Sequence, residues 1–317
     1  MALLEIKNLA VDFEMKNSKI HAVRNVSLSL NAGETHCVVG ESGCGKSVSS
    51  FAVLNLLEKN GKITNGEIIF DGQDLRKISD ENFRKIRGKE ISMIFQDPMN
   101  SLNPVYRCGD QIAEVLTTHT GISKKEALKE AIRVLDLVKV GSPEKRIMQY
   151  PHELSGGLRQ RVMIAAAIIC KPKLLIADEP TTALDATIQK QILELLADLQ
   201  KEMGMAILFI THDLGVVRSI ADKISVLYAG EVIESGTADD IFKTPKHPYT
   251  TGLLNTIPKI GGTREKLQPI EGNLPDASKE IPGCAFEPRC SRKTELCKTQ
   301  KPPMKEDGTH SFLCFGA

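Results

Sequence analysis

The segment Gly40-Glu41-Ser42-Gly43-Cys44-Gly45-Lys46-Ser47 constrains this chain more than any other. It fits G-x-x-x-x-G-K-[ST] at each fixed position, directly after the apolar run Thr35 to Val39 and before a helix-compatible stretch from Lys46 to Leu57. Glycines let the backbone curl until successive N–H groups point at phosphate oxygens, and the start of the helix adds a favourable dipole. Lys46 then reaches the β- and γ-phosphates, and the Ser47 hydroxyl ligates Mg2+. The plainer alternative is a glycine-rich turn with an incidental lysine; the strand–turn–helix context counts against it. Such a motif needs an α/β fold in which a buried strand feeds a helix.

The remaining pattern agrees. Leu3 to Phe13 alternates as a strand does, Val26 to Leu30 more clearly still, and Gly66 to Phe70 and Ile91 to Phe95 read as further strands. From Pro104 to about Leu154 the pattern is helical, with Lys124 to Val138 the clearest amphipathic segment. Leu174 to Ala177 and Ala206 to Ile210 are short and wholly apolar, as buried parallel strands are. Between them a helix begins near Asp185, an acceptable N-cap, and runs to about Met203. Beyond about Ile260 glycine, proline and lysine rise and periodicity fades, so a domain boundary is expected there. No internal repeat is visible, which implies one nucleotide-binding unit.

Leu174-Leu-Ile-Ala-Asp178-Glu179 supplies the second half of a phosphate-transfer site: a buried strand ending in two carboxylates. Asp178 is placed to hold the hydration shell of Mg2+, and Glu179 to accept a proton from attacking water. Alone, such a strand end is mostly structural; downstream of Gly40–Ser47 the chemical reading prevails.

The net charge of the 317 residues is +1, which gives no electrostatic argument for a nucleic-acid partner. The longest apolar stretch, Val162 to Cys170, falls far short of the roughly 20 residues that span a bilayer. Met1 to Asn8 carries Glu5 and Lys7 and no cleavage-site pattern. A cytoplasmic protein is expected, reaching a membrane only by docking onto another protein's helices. Of the eight cysteines, Cys37, Cys44, Cys108 and Cys170 suit burial, while Cys284, Cys290, Cys297 and Cys314 cluster near the end. In a reducing compartment that cluster reads as a metal site before it reads as disulfides. Its spacing lacks the C-x-x-C pairs of structural zinc sites, yet four thiolates suit a [4Fe–4S] cluster or Zn2+. His310 is an alternative ligand, though a solvated loop histidine is the plainer reading.

Leu154-Ser155-Gly156-Gly157-Leu158-Arg159-Gln160-Arg161 resembles the signature motif of ABC ATPases. Gln96 resembles their Q-loop glutamine, Ala183-Leu184-Asp185 their D-loop, and His212, after Phe209-Ile-Thr, their switch histidine. The resemblance spans roughly residues 3 to 240. It implies a RecA-like P-loop ATPase core with an antiparallel β subdomain near the N-terminus and a helical subdomain ending at the signature. The expected division is a nucleotide-binding domain over 1–260, its helical subdomain at about 98–160, and a small Cys-rich C-terminal extension over 261–317. The implied ATP contacts are Phe13, stacked on adenine, with Gly40, Ser42, Gly43, Cys44, Gly45, Lys46, Ser47, Val48 and Asp178. Ser47 and Gln96 are the implied Mg2+ ligands. Glu179, His212 and Gln96 are the implied catalytic residues, His212 touching the γ-phosphate and organising the attacking water.

In this family Ser155, Gly156 and Gly157 complete a second subunit's pocket, with Asp185 in the D-loop, so ATP joins two ATPase subunits. Leu158 stands where the signature usually has glutamine. That departure is similar to one of the two ATPases of peptide importers and implies an unlike partner subunit. Gln96-Asp-Pro-Met-Asn-Ser-Leu-Asn-Pro104 and His247-Pro-Tyr-Thr250, followed by Leu253 and Leu254, resemble elements of dipeptide, oligopeptide and nickel importers. Pro282-Gly-Cys-Ala-Phe-Glu-Pro-Arg-Cys290 resembles the tail of peptide-importer ATPases, where a [4Fe–4S] cluster is implied. The expected role is therefore an ATPase at the cytoplasmic face of the cell membrane, peripheral, powering peptide import. Its partners would be two permease subunits, a second ATPase and, indirectly, an external peptide-binding protein. Alternatives are a nickel or other solute importer, or a soluble ABC ATPase outside transport.

Overall fold

The computed structural model describes residues 2–16, 18–97, 101–182, 184–257 and 270–316. The expected boundary at 260/261, Pro98, Met99 and Asn100 of the Gln96–Pro104 element, and Ala183 lie outside the described residues. The described strands are, in chain order, β1 (Leu4–Glu14), β2 (Lys19–Leu30), β3 (Thr35–Val39), β4 (Gly61–Phe70), β5 (Gln73–Asp74) and β6 (Ile91–Ile94). They continue with β7 (Leu174–Asp178), β8 (Ala206–Thr211), β9 (Lys223–Tyr228), β10 (Glu231–Thr237), β11 (Met304–Asp307) and β12 (His310–Leu313). The chain forms two compact units.

The first unit takes in Ala2–Leu30, Thr35–Arg76 and Ile210–Ala317. Its strands run β5-β4-β1-β2-β10-β9-β3, with β12 joining β10 and β11. The antiparallel layer expected near the N-terminus is β1 between β2 and β4. Leu4, Ile6, Leu9 and Val11 are buried along it, the inward set of an alternating strand whose phase shifts where the register slips between Ile6 and Leu9. Beside it β3 lies parallel to β9. All five residues of β3 are buried, so its side chains are packed on both faces.

The hairpin β9–β10 turns at Ala229 and Gly230, both at positive φ, an arrangement that fits the right-handed twist of the paired strands. Residues 270–316 belong to this unit, although the sequence promised them no regular structure. Met304–Asp307 and His310–Leu313 pair across a two-residue turn opened by Gly308 at φ 63, and Glu234 and Ser235 of β10 extend the ladder to Phe312 and Ser311.

The second unit comprises Asn31–Glu34 and Lys77–Phe209. Strands β8, β7 and β6 lie side by side, with β6 and β7 parallel from Ile91/Leu174 to Ile94/Ala177. Helix Ala186–Met203 buries Ile192, Leu193, Leu195, Leu196 and Leu199, one apolar stripe at helical spacing. Helices Cys108–Thr120, Lys124–Leu137 and Gly156–Ile168 form the helical part. The second of these starts at a capping box, in which Ser123 and Glu126 each satisfy the other's backbone N–H, and it buries Ala127, Ala131, Val134 and Leu135.

One helix stops short of its sequence expectation. Lys46–Val53 ends with Leu54 as cap because Asn55 adopts φ 50, a left-handed conformation in which the next helical hydrogen bond cannot form.

Two buried histidines make the first unit sensitive to acid. His36 Nδ1–H donates to the Ser29 carbonyl at 3.0 Å and Nε2 lies 2.8 Å from the Ser225 hydroxyl; burial pushes its pKa down to about 4. His247 accepts the Tyr249 N–H at 3.1 Å, and burial, then the charge of Arg292, push it down to about 3. Both stay neutral in the fold while the unfolded chain takes up protons below about 6.5, so stability is complete above that pH and is lost as pH falls toward 4. Each histidine should contribute up to about 1.4 kcal/mol per pH unit in that window. Thermal midpoints measured from pH 7 to 4 should fall steeply, and His36→Gln should flatten the slope; an unchanged slope in the variant would refute the assignment.

Candidate functional site

In the first unit, β3 delivers the chain into the loop Gly40–Ser47. A side chain at Gly40 would collide with the Leu227 carbonyl and come 2.8 Å from Cys44 Sγ, so only glycine allows this close approach. Gly45 stands at φ 105 as the cap of helix Lys46–Val53, and a Cβ there would meet the Ala22 carbonyl at 2.5 Å. With these turns fixed, Lys46 folds back. Its Nζ donates to the carbonyls of Gly40 and Glu41 at 2.7 and 2.9 Å, and the residue is 5% exposed. The loop is thus wrapped around a buried ammonium.

Ser42 and Gly43 lie exposed at the loop apex, and Ser47 and Val48 are half-buried at the first turn of the helix. Cys44 is buried, and desolvation raises its thiol pKa, which makes it a packing group. Phe13, near the end of β1, is half-buried opposite Ile20 and Gly61; its ring lies so close to Gly61 that a Cβ there would be 2.8 Å from it. His212 is exposed between β8 and helix Leu214–Ile220, whose N–H groups at Gly215 and Val216 are capped by Asp213.

In the second unit β7 ends at Asp178 and Glu179, which are 2% and 8% exposed. Glu179 stands at φ 46, a left-handed conformation that costs of order 1–3 kcal/mol for a residue with a Cβ and turns the carboxylate away from the strand direction. Gln96, two residues past β6, donates from Nε2 to Glu179 Oε2 at 2.9 Å, and the Thr182 hydroxyl lies 3.0 Å from the same oxygen. Two expected catalytic residues are therefore in direct contact. Thr182 was not singled out by sequence reasoning; its only signal was its position three residues past Glu179.

The signature residues form a second feature of this unit. Ser155 caps helix Gly156–Ile168, its hydroxyl 3.4 Å from the Leu158 N–H, and Asp185 caps helix Ala186–Met203 through Thr187 and Ile188. Both helix starts line one groove of about 410 Å³, shared by Ser155, Gly156, Gly157, Leu158, Leu184, Asp185 and Ile188, with Arg161 at its side. The motifs gave no sign that the signature and Asp185 share a groove, because that depends on how two distant helices pack. Arg161 is anchored by donating to the Val138 carbonyl at 2.6 Å.

The tail cysteines Cys284, Cys290, Cys297 and Cys314 are all partly buried, and each of the other three adds to the charge repulsion felt at Cys284. Burial first, then that repulsion, pushes the Cys284 thiol up to about 11. The four-thiolate ligand set expected from the sequence is not formed, however: among the described residues no group of three or more His, Cys, Asp or Glu is placed to hold a metal ion. The Cys284 N–H instead donates to the Cys297 carbonyl at 2.8 Å, and Cys290 Sγ accepts the Arg292 N–H. His310 is no loop histidine either; it is buried in β12, with Nε2 2.7 Å from Glu234. Among the described residues, no helix is long and apolar enough to cross a membrane.

A wrapped phosphate loop, a strand-end carboxylate pair braced by a glutamine, and a serine–glycine helix start together define a nucleotide-hydrolysing cassette. The chain belongs to the ABC transporter family, as one of its ATPases: the model of that family matches residues 23–182. A second model, the C-terminal region of oligopeptide/dipeptide transporters, matches residues 233–297. The chain is 51% identical to the oligopeptide transport ATP-binding protein OppD of Bacillus subtilis (strain 168), over 97% of this chain and 87% of that one. It is 49% identical to the dipeptide transport ATP-binding protein DppD of the same organism, over 99% and 94%. Among solved structures it resembles the ATP-binding cassette MJ0796, a post-hydrolysis dimer with ADP and Pi, at a TM-score of 0.67 and 30% identity, covering 74% of this chain and 98% of that one.

Gly45→Ala should lower the unfolding free energy by about 1–3 kcal/mol, since the new methyl group meets both a forbidden φ and the Ala22 carbonyl. Urea denaturation checks this, and a variant as stable as the parent would show that the loop geometry is wrong.

Proposed function

We propose that this chain powers import of di- or oligopeptides through a membrane permease by binding and hydrolysing Mg-ATP. The observation that carries the reading is the buried Lys46 ammonium, held on two loop carbonyls at the start of a helix and preorganised for a polyphosphate. The peptide half is supported by the match of the tail region and by the names of the relatives, which are oligopeptide and dipeptide transport ATP-binding proteins.

Roles on the nucleotide follow from the motifs. Gly40, Ser42, Gly43, Cys44, Gly45, Lys46, Ser47 and Val48 take the phosphates, with Asp178, and Phe13 takes the adenine. Glu179 accepts the proton of the attacking water, Gln96 fixes the rotamer of Glu179, and His212 senses the γ-phosphate. The half-buried Ser47 hydroxyl, the Gln96 amide oxygen and the buried Asp178 carboxylate are hard oxygen donors of the kind Mg2+ takes. When bound, Mg2+ neutralises charge on the β- and γ-phosphates. These assignments across the two units rest on the order of the motifs alone.

Ser155, Gly156, Gly157 and Asp185 serve the nucleotide of a second ATPase subunit, and the dimeric state of the related cassette supports such pairing. Leu158, standing where the signature usually has glutamine, is similar to one of the two ATPases of peptide importers, and this resemblance supports an unlike partner subunit. Residues 1–260 act as the nucleotide-binding domain, with 98–160 as its helical subdomain, and 261–317 as the extension. The assembly sits at the cytoplasmic face of the membrane on two permease subunits, with an external binding protein supplying peptide. A [4Fe–4S] cluster, or Zn2+, on the tail cysteines is the finer reading of the extension. It is supported by the grouping of Cys284, Cys290, Cys297 and Cys314 near the end of the chain and by the resemblance of Pro282–Cys290 to the tail of peptide-importer ATPases.

Lys46→Ala should abolish ATP binding, and Glu179→Gln should retain it while lowering turnover in the assembled transporter by about 100-fold or more. Full turnover in Glu179→Gln would remove Glu179 as the base. Anaerobic purification with iron, sulfide and zinc analysis tests the metal reading: about four irons per chain, lost in Cys290→Ser, would support the cluster, and metal-free protein would remove it.

A further inference from the structure

Residue Glu41, second in the phosphate loop, is gripped from the far end of the chain. Arg289 Nη1 and Nη2 donate to Glu41 Oε2 and Oε1 at 2.9 and 3.0 Å, a two-pronged pair in which each prong has its own acceptor. The Arg289 side chain is only 5% exposed and is itself held in place: Nη2 also donates to the Ile270 carbonyl at 3.1 Å and Nε to the Glu271 carbonyl at 2.9 Å. Its guanidinium sits 5.8 Å from the Tyr228 ring centre and 5.9 Å from that of Phe286, and these two rings pack edge-on with Tyr249. Tyr249 reaches the same loop residue, its hydroxyl accepting the Glu41 N–H at 3.0 Å. Leu274 of the tail lies beside Gly43, about 4 Å from where a Cβ would stand.

We infer that Arg289 is a positioning residue for the phosphate loop, through which the Cys-bearing tail sets the affinity of the site for a polyphosphate. The inference rests on the reading of Gly40–Ser47 as the ATP phosphate site. A carboxylate inside a loop that receives a highly charged anion opposes binding by like-charge repulsion. The guanidinium cancels that charge and, with Tyr249, fixes both the side chain and the N–H of Glu41, so this part of the loop is ordered before nucleotide arrives. The aromatic bed and the two tail carbonyls keep Arg289 from turning toward solvent. Affinity for ATP therefore depends on a segment far from the loop in sequence.

The test is calorimetric titration of the full chain with MgATP, paired with steady-state kinetics in the assembled transporter. Arg289→Gln should raise the Kd and KM for ATP about ten-fold while kcat at saturation stays within about two-fold. Glu41→Gln, which leaves the guanidinium uncancelled beside the anion site, should bind ATP more tightly than the parent, and Glu41→Gln combined with Arg289→Gln should return to within about two-fold of the parent, because the charge that needed cancelling is gone. Arg289→Lys, which keeps the charge, should lie between. Parent-like affinity in Arg289→Gln would overturn the inference, and so would a double variant as weak as Arg289→Gln, since a merely structural brace is not rescued by removing Glu41. Should Arg289→Gln fail to fold, the same rescue read between Arg289→Lys and its Glu41→Gln double decides. Lys46→Ala is the control: ATP binding that survives it would overturn the phosphate-site reading itself, whatever Arg289 does.

Discussion

The structure of the first unit turns on a buried ammonium. Lys46 is withdrawn from water at the start of a helix, where a positive charge is disfavoured by the helix dipole, and its partners are neutral carbonyls. A cation held this way is tolerated only if the backbone around it is fixed, and that requirement reaches outward. Gly40 must lie against the Leu227 carbonyl, Gly45 must take φ 105, and β3 must be paired with β9 so that the loop starts from one place. An anion-binding site with its cation already in position spends little of its binding energy on ordering.

Glu179 shows the opposite device. Here backbone strain sets the geometry of a buried carboxylate: a left-handed backbone swings it out of line with β7, and hydrogen-bond contacts from Gln96 and Thr182 keep it there.

Much of this was legible in the sequence, and the reason is locality. The phosphate loop, the Asp178–Glu179 strand end and the caps at Ser155 and Asp185 are each specified within a few residues. What escaped was set by partners remote in sequence or by a single backbone angle. Asn55 ended a helix that apolar spacing carried to Leu57. The tail shows no periodicity because its order comes from docking: Arg24 donates to the carbonyls of Ala277 and Lys279, Lys301 pairs with Glu231, and His310 with Glu234. The clustering of four cysteines suggested one shared ligand set, yet among the described residues no group of three or more His, Cys, Asp or Glu is placed to hold a metal ion. Glu41 and Arg289, 248 positions apart, carry no mutual signature at all.

One further consequence lies in the short strand β12. The open side of β10 is covered near Glu231 by a bridge to Asn25 and at Glu234 and Ser235 by Phe312 and Ser311. Those few rungs occupy main-chain donors and acceptors that would otherwise face outward as a template for a foreign strand. The C-terminal hairpin is in this sense a seam: it ties the far end of the chain into the ladder and moves the open edge from β10 out to the short strand β11.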